Sequence, residues 1–217
     1  ASLAFLNRGD HFDVVVLPPA AQWAPVFGIA TGDLDGDGNE DLILSQNFFA
    51  VRPEDNRLDA GRALWLKGDG QGGLQPVPAE RSGIAVYGEQ RGCAVSDFDG
   101  DGRLDLVISQ NGDQTKVYHN VGARPGLRVR LEGPPGNPQG VGAALRLVWN
   151  QRRGPLREVQ AGSGYWSQNS AVQLLGASTP PTGIWIRWPG GRVISAPIPA
   201  GAREIAVNPQ GQVRRLR

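Results

Sequence analysis

A twenty-residue stretch occurs twice in this chain, in register and 64 positions apart: GIATGDLDGDGNEDLILSQN over 28–47 and GCAVSDFDGDGRLDLVISQN over 92–111. Duplication at such a period restricts the fold to architectures assembled from one repeated supersecondary unit. A second element travels with it. LAFLNRGDHF from Leu3, LWLKGDGQGGL from Leu64 and KVYHNVG from Lys116 are each a short strand-like run entering a Gly or Asn turn. One unit then reads strand, Asp-rich loop, strand, connection, strand, turn, strand, which is the make-up of a four-stranded propeller blade. The 31 glycines and 17 prolines fall between short β-branched or aromatic runs, as they do in all-β chains.

About two such units are present, whereas a closed propeller has about four to eight blades. The chain carries no methionine and starts inside the tail of a unit, so further repeats are expected upstream. Exposed blade edges favour self-association or cover by another segment.

Charge divides the chain. Residues 1–121 hold 9 Lys+Arg against 18 Asp+Glu, while residues 122–217 hold 13 Arg against 3 Glu. The shift falls at the turn-rich NVGARPG, and it predicts two domains: propeller-type repeats over 1–123 and a second β domain over 124–217. In LRVRLE, Leu127, Val129 and Leu131 alternate with Arg128, Arg130 and Glu132, and ALRLVW and IWIRW alternate likewise. Such alternation marks strands with one buried face, so the second domain is expected to be a small sandwich or barrel. The predicted fold class is all-β, a partial propeller of about two repeats followed by that domain.

The two loops, at 33–41 and 97–105, carry the chemistry. Asp33, Asp35, Asp37 and Asp41 occupy loop positions 1, 3, 5 and 9, and Asp97, Asp99, Asp101 and Asp105 repeat them. Four carboxylates can converge there, and a backbone carbonyl at position 7, from Asn39 or Arg103, adds a fifth donor. Ca²⁺ takes six to eight oxygens, whereas Mg²⁺ demands octahedral geometry and keeps its waters, so two structural Ca²⁺ sites are expected. An EF-hand closes on Glu at position 12; here that position is Leu44 or Ile108, inside an apolar run. A single copy could equally be an acidic Asp-Gly turn. Two in-register copies favour the metal.

These residues also carry resemblances. GDLDGDGNEDLIL and SDFDGDGRLDLVI resemble the FG-GAP or VCBS repeat, the calcium-loop blade of integrin α-subunit propellers and many bacterial surface proteins. NPQGVGAALRLV (137–148), REVQAGSGYWSQN (157–169) and IWIRWPGGRV (184–193) resemble successive signatures of the ASPIC/UnbV domain of the cartilage acidic protein-like family. The resemblance implies calcium-dependent stability, a secreted, periplasmic or cell-surface setting, and adhesion or binding of a protein or carbohydrate partner. The insertion VRPEDNRLDAGR (51–62) departs from the short form of the repeat and is expected to be a surface loop.

Other chemistry-bearing residues have plainer readings. Arg8-Gly9-Asp10 falls where Lys67-Gly68-Asp69 falls in the next repeat, so it is expected to be a blade turn. Cys93 is the sole cysteine, which excludes an internal disulfide and a CxxC site, and it reads as a small core residue. His11 and His119 lie near turns, Ser163 does not complete a G-x-S-x-G elbow, and no phosphate loop is present. Tyr165, Trp166, Ser167, Gln168 and Asn169 form either a ligand patch or a structural corner. The four tryptophans after residue 148 either fill core or offer a carbohydrate-stacking surface. The arginines of the basic half read as a solvated face, or one meeting the acidic repeats, without a nucleic-acid motif. RRLR at 214–217 is expected to fray. No apolar run approaches the roughly 20 residues that span a bilayer, so no membrane insertion is expected. The chain thus reads as a calcium-binding interaction or scaffold module rather than an enzyme. The alternative is part of a secreted propeller enzyme, such as a carbohydrate-active hydrolase with paired carboxylates at the domain junction.

Overall fold

Among the described residues strands make up nearly all regular structure; the exceptions are one helical turn at Ala79–Ser82 and a 3-10 turn at Pro19–Ala21. The structure, a computed structural model, describes residues 1–150 and 152–217. In the acidic half, β1 (Leu3–Asn7) and β2 (Phe12–Val16) form a hairpin whose Arg8–His11 turn contains the Arg-Gly-Asp triplet. A four-stranded antiparallel meander follows: β3 (Val26–Gly32), β4 (Asp41–Gln46), β5 (Leu64–Gly68) and β6 (Leu74–Val77). Then come β7 (Glu89–Ser96), β8 (Asp105–Asn111) and β9 (Lys116–Tyr118) in a three-stranded sheet.

The duplicated sequence makes duplicated backbone. Register slips at the same place in both sheets, between Val26 and Ile29 and between Gln90 and Cys93. Each bulge is fastened by the same hydroxyl: Ser45 Oγ accepts from Gly28 N–H at 2.7 Å, and Ser109 Oγ from Gly92 N–H at 2.9 Å. The sheets then stack as blades. Ile43 and Trp65 face β7 and β8, joining Cys93, Val95, Leu106 and Ile108, while Leu44 and Leu66 face the hairpin with Leu17. A strand covered on both faces explains why DLILSQ reads as a continuous buried run instead of alternating. Full burial of each such aliphatic side chain contributes about 1.5–3 kcal/mol. The outer face of the hairpin is bare: Leu3, Phe5, Phe12, Val14 and Val16 are 41–64% exposed.

The basic half forms two sheets around one core. One sheet has the order β14 (Gln173–Leu175), β10 (Leu127–Leu131), β17 (Glu204–Val207), β18 (Val213–Arg215), with β10 and β17 parallel. The other has β11 (Ala144–Trp149) flanked by the short β12 (Arg152–Arg153) and β13 (Arg157–Glu158) on one side, then β15 (Gly183–Arg187) and β16 (Val193–Pro197). The inward faces are those the alternation predicts: Leu127, Val129 and Leu131 meet Leu145, Leu147, Ile184 and Ile186. The frayed C-terminus does not occur. β18 pairs with β17, and Leu216 N–H donates to Glu204 O at 2.9 Å, so the run RRLR extends a sheet edge.

Candidate metal centre

Each Asp-rich loop bridges the first two strands of its sheet, β3 to β4 and β7 to β8. Four glycines, Gly36, Gly38, Gly100 and Gly102, take positive φ between 74° and 93°. Their N–H groups turn inward onto the first aspartate. Asp33 accepts from Gly36 and Gly38, each at 2.8 Å, and from Asp37 at 3.0 Å; Asp97 accepts from Gly100 at 2.8 Å and Gly102 at 2.9 Å.

The position 9 aspartates stitch each loop to the turn after the third strand. Asp41 accepts from Leu34 N–H at 2.9 Å and Gly68 N–H at 2.8 Å, and Asp105 accepts from Phe98 N–H at 3.1 Å and Asn120 N–H at 2.8 Å. The Asn120 amide also donates to the carbonyls of Leu34 and Leu104, at 2.8 and 3.0 Å, and so ties the two loops together.

The donor clusters are similar without being identical. In the first loop the carboxylates of Asp33, Asp35 and Asp37 lie within 4.8 Å of one another; in the second, those of Asp97, Asp99 and Asp105 do. Asp41 stands outside the first cluster, and Asp101 groups instead with Asp99 and His119. Asn39 and Arg103 occupy equivalent places, each donating its N–H at 2.8 Å to the position 5 aspartate. Hard oxygen donors in such groups fit a Ca²⁺-type cation. Burial works against their charge. Burial, assisted by the charge of Asp37, pushes Asp33 up to about 6, and burial with Asp35 and Asp33 nearby pushes Asp41 up to about 6. Burial raises Asp105 as well.

Three basic side chains that pair with these carboxylates lie outside the loop motif. Lys67 Nζ pairs with Asp35 and sits 2.8 Å from Asp37, and its ammonium marks where the carboxylates concentrate favourable potential for a cation. That pairing, with the Asn39 N–H, holds Asp37 below the usual carboxylate range although burial opposes it. His119, preceding Asn120 as Lys67 precedes Gly68, places Nε2 2.9 Å from Asp99 and 3.7 Å from Asp101. Arg128 reaches in from β10: Nη1 is 2.5 Å from Asp97 and Nε is 3.2 Å from Glu204. The recurrence of a basic residue before the blade turn was the available signal for the first two.

Arg157 links the halves again, donating to Glu40 at 2.7 Å and to Leu174 O at 2.6 Å. Beside it a cavity of about 640 Å³ separates the first loop from the second half, lined by Asp37, Asn39, Glu40, Trp149 and Arg153 among others. Cys93 is 2% exposed, and burial pushes its thiol up to about 11, which suits a core residue rather than a nucleophile. The Tyr165 segment forms the structural corner, with one aromatic side chain left outside it. Ser163 Oγ accepts from Asn169 N–H at 2.6 Å and Asn169 Oδ1 from Val95 N–H at 3.0 Å, forming a corner, while Trp166, stacked on Tyr165, is 88% exposed.

The arginine-bearing half has a recognisable sequence signature. Residues 133–213 match the ASPIC and UnbV family model. The ASPIC and UnbV segment therefore takes in β11 through the start of β18, including Arg157 and Glu204, with Arg128 just before it. Across both halves the chain is similar to cartilage acidic protein 1 of Homo sapiens, 24% identical over 221 residues, covering 91% of this chain and 30% of that protein. It is also similar to cartilage acidic protein 1 of Xenopus tropicalis, 29% identical over 184 residues, covering 82% of this chain and 28% of that protein. The chain thus spans less than a third of the length of these relatives. Among the described residues no helix is long and apolar enough to cross a membrane.

Proposed function

We propose that the chain is a calcium-stabilised interaction module of an extracellular protein, in which FG-GAP or VCBS-type blades carry an ASPIC and UnbV domain. The observation that carries this reading is the repeated cluster of three carboxylates within 4.8 Å on two equivalent loops. Asp33, Asp35 and Asp37 would hold one Ca²⁺, with the Asn39 carbonyl and Asp41 completing the shell. Asp97, Asp99 and Asp105 would hold the other with the Arg103 carbonyl and Asp101. Bound Ca²⁺ supplies charge neutralisation, and the loops supply a closed set of oxygens fastened by their own N–H groups. That arrangement suits a structural role. The extracellular setting rests on the likeness to proteins named for cartilage.

A thermal melt tests the calcium. A cation that binds only the folded state stabilises it by about 2.7 kcal/mol at a hundredfold excess over Kd. Added Ca²⁺ is expected to raise Tm and EDTA to lower it, with the Asp33→Asn, Asp97→Asn double variant insensitive to both. A wild-type midpoint indifferent to Ca²⁺ and EDTA would sink the proposal.

A further inference from the structure

The sheet containing β11 and β15 turns one face inward to the core; the other carries arginines. Pairing sets Arg153 opposite Val148, Arg146 opposite Trp185 and Arg187 opposite Ala144. The three arginines therefore lie on three adjacent strands, each step shifted by two residues, and form a single diagonal. Diagonal neighbours on a sheet face stand about 7–8 Å apart.

Carboxylates pair with five other arginines of this half, while Arg124, Arg152, Arg192, Arg203 and Arg215 form no ion pair among the described residues. Arg128, Arg130 and Arg217 pair with Glu204, Arg157 with Glu40 and Arg214 with Glu132. Among the described residues Arg146, Arg153 and Arg187 have no such partner. Arg146 is the telling one. Its Nε is buried without an acceptor while its guanidinium lies 4.9 Å from the Trp185 ring. A buried, unsatisfied guanidinium N–H is costly, and an oxyanion is the group that meets it most favourably. Burial and the neighbouring charges of Arg153 and Arg187 also lower the pKa of Arg146, so a bound anion would relieve their mutual repulsion. The acid on this face is Glu158, opposite Ala144 on β13, and it forms no ion pair among the described residues.

We propose that this face binds an anionic polysaccharide, its sulfate or carboxylate groups engaging the Arg153–Arg146–Arg187 diagonal. The inference rests on the interaction-module reading and names the partner's chemistry, and it is independent of the calcium. Strand addition, the usual way an extended peptide docks on a sheet, uses free backbone edges. Here the charges of Arg146 and Arg187 rise from interior strands, flanked by β12 and β13 on one side and β16 on the other. Side-chain contact to a repeating polyanion suits that placement, and the half-buried Trp185 offers an apolar surface beside the row.

Binding to immobilised heparin in low-salt buffer is the test, run in Ca²⁺ and again in EDTA. Wild type should bind under both conditions where it remains folded. Arg153→Ser with Arg187→Ser should weaken binding at least tenfold, and Arg146→Gln should weaken it too. Arg130→Ser with Arg214→Ser, which removes the same charge from the other sheet, should leave it nearly unchanged. The conservative pair Arg153→Gln, Arg187→Gln guards against misfolding, with circular dichroism confirming the strand signal. Equal losses in the patch and control variants, no heparin binding by wild type, or stronger competition by polyglutamate than by heparin at equal charge would each overturn the proposal. Failure of the calcium melt with intact heparin binding would remove the metal reading and leave this one standing.

Discussion

Lys67 shows how one residue tunes a loop. Its ammonium pairs with Asp35 and Asp37, two of the carboxylates proposed to hold the first cation, so lysine and a bound Ca²⁺ would compete for the same negative charge. The pair is partly exposed, with side-chain exposures of 41% for Lys67 and 26% for Asp35, which limits its worth to about 1 kcal/mol. Lys67→Gln should therefore strengthen calcium binding at the first loop by up to about fivefold, since 1.4 kcal/mol is tenfold. The second loop, with His119 in that place, should be unaffected. Calorimetric titration of wild type and variant would show this as a change in one of two binding steps. Unchanged or weaker binding at the first loop would mean that the ammonium and the cation do not share a place.

At the level of elements, the backbone of each loop is as demanding as its carboxylates. Gly36 has φ 74°, and a Cβ there would meet the Arg124 carbonyl oxygen at 2.3 Å, because the linker between the halves lies directly on the loop. Gly83, capping the single helical turn, has φ 71° but open space around its Cβ position. Gly83→Ala should cost only the left-handed conformation, about 1–2 kcal/mol. Gly36→Ala should cost at least about 2 kcal/mol more in urea unfolding, and equal costs would show that the linker does not bear on the loop. The loops, their glycines and the strands that flank them were legible because their determinants are local: fixed spacing of Asp and Gly, then an apolar run, written twice. The alternation of LRVRLE was legible for the same reason. Lys67, His119 and Arg128 were not, since each meets its aspartates across 18 to 32 positions of chain, through strand pairing that spacing does not reveal. The C-terminal RRLR was misread because composition suggested a solvated tail, whereas Glu204 O gives its backbone a partner.

Over the whole molecule, the Asp-rich loops are also where the two halves meet. Asp97, Arg128 and Glu204 form a chain of ion pairs whose side chains are 3%, 12% and 5% exposed. Breaking such a buried pair by removing one partner typically costs 3–5 kcal/mol, because a carboxylate is left buried and uncompensated. Arg128→Met removes the guanidinium while keeping an unbranched apolar stem, so in EDTA it should lower stability by about that amount. With saturating Ca²⁺ the cation would neutralise Asp97 in place of the guanidinium, and the cost should fall by 1 kcal/mol or more. Comparing wild type and variant, each with and without Ca²⁺, measures this coupling directly as the interaction energy of a cycle. A penalty of equal size in both conditions would show that Arg128 and the cation do not act on the same carboxylate, and that calcium holds the blade without reaching the domain beside it.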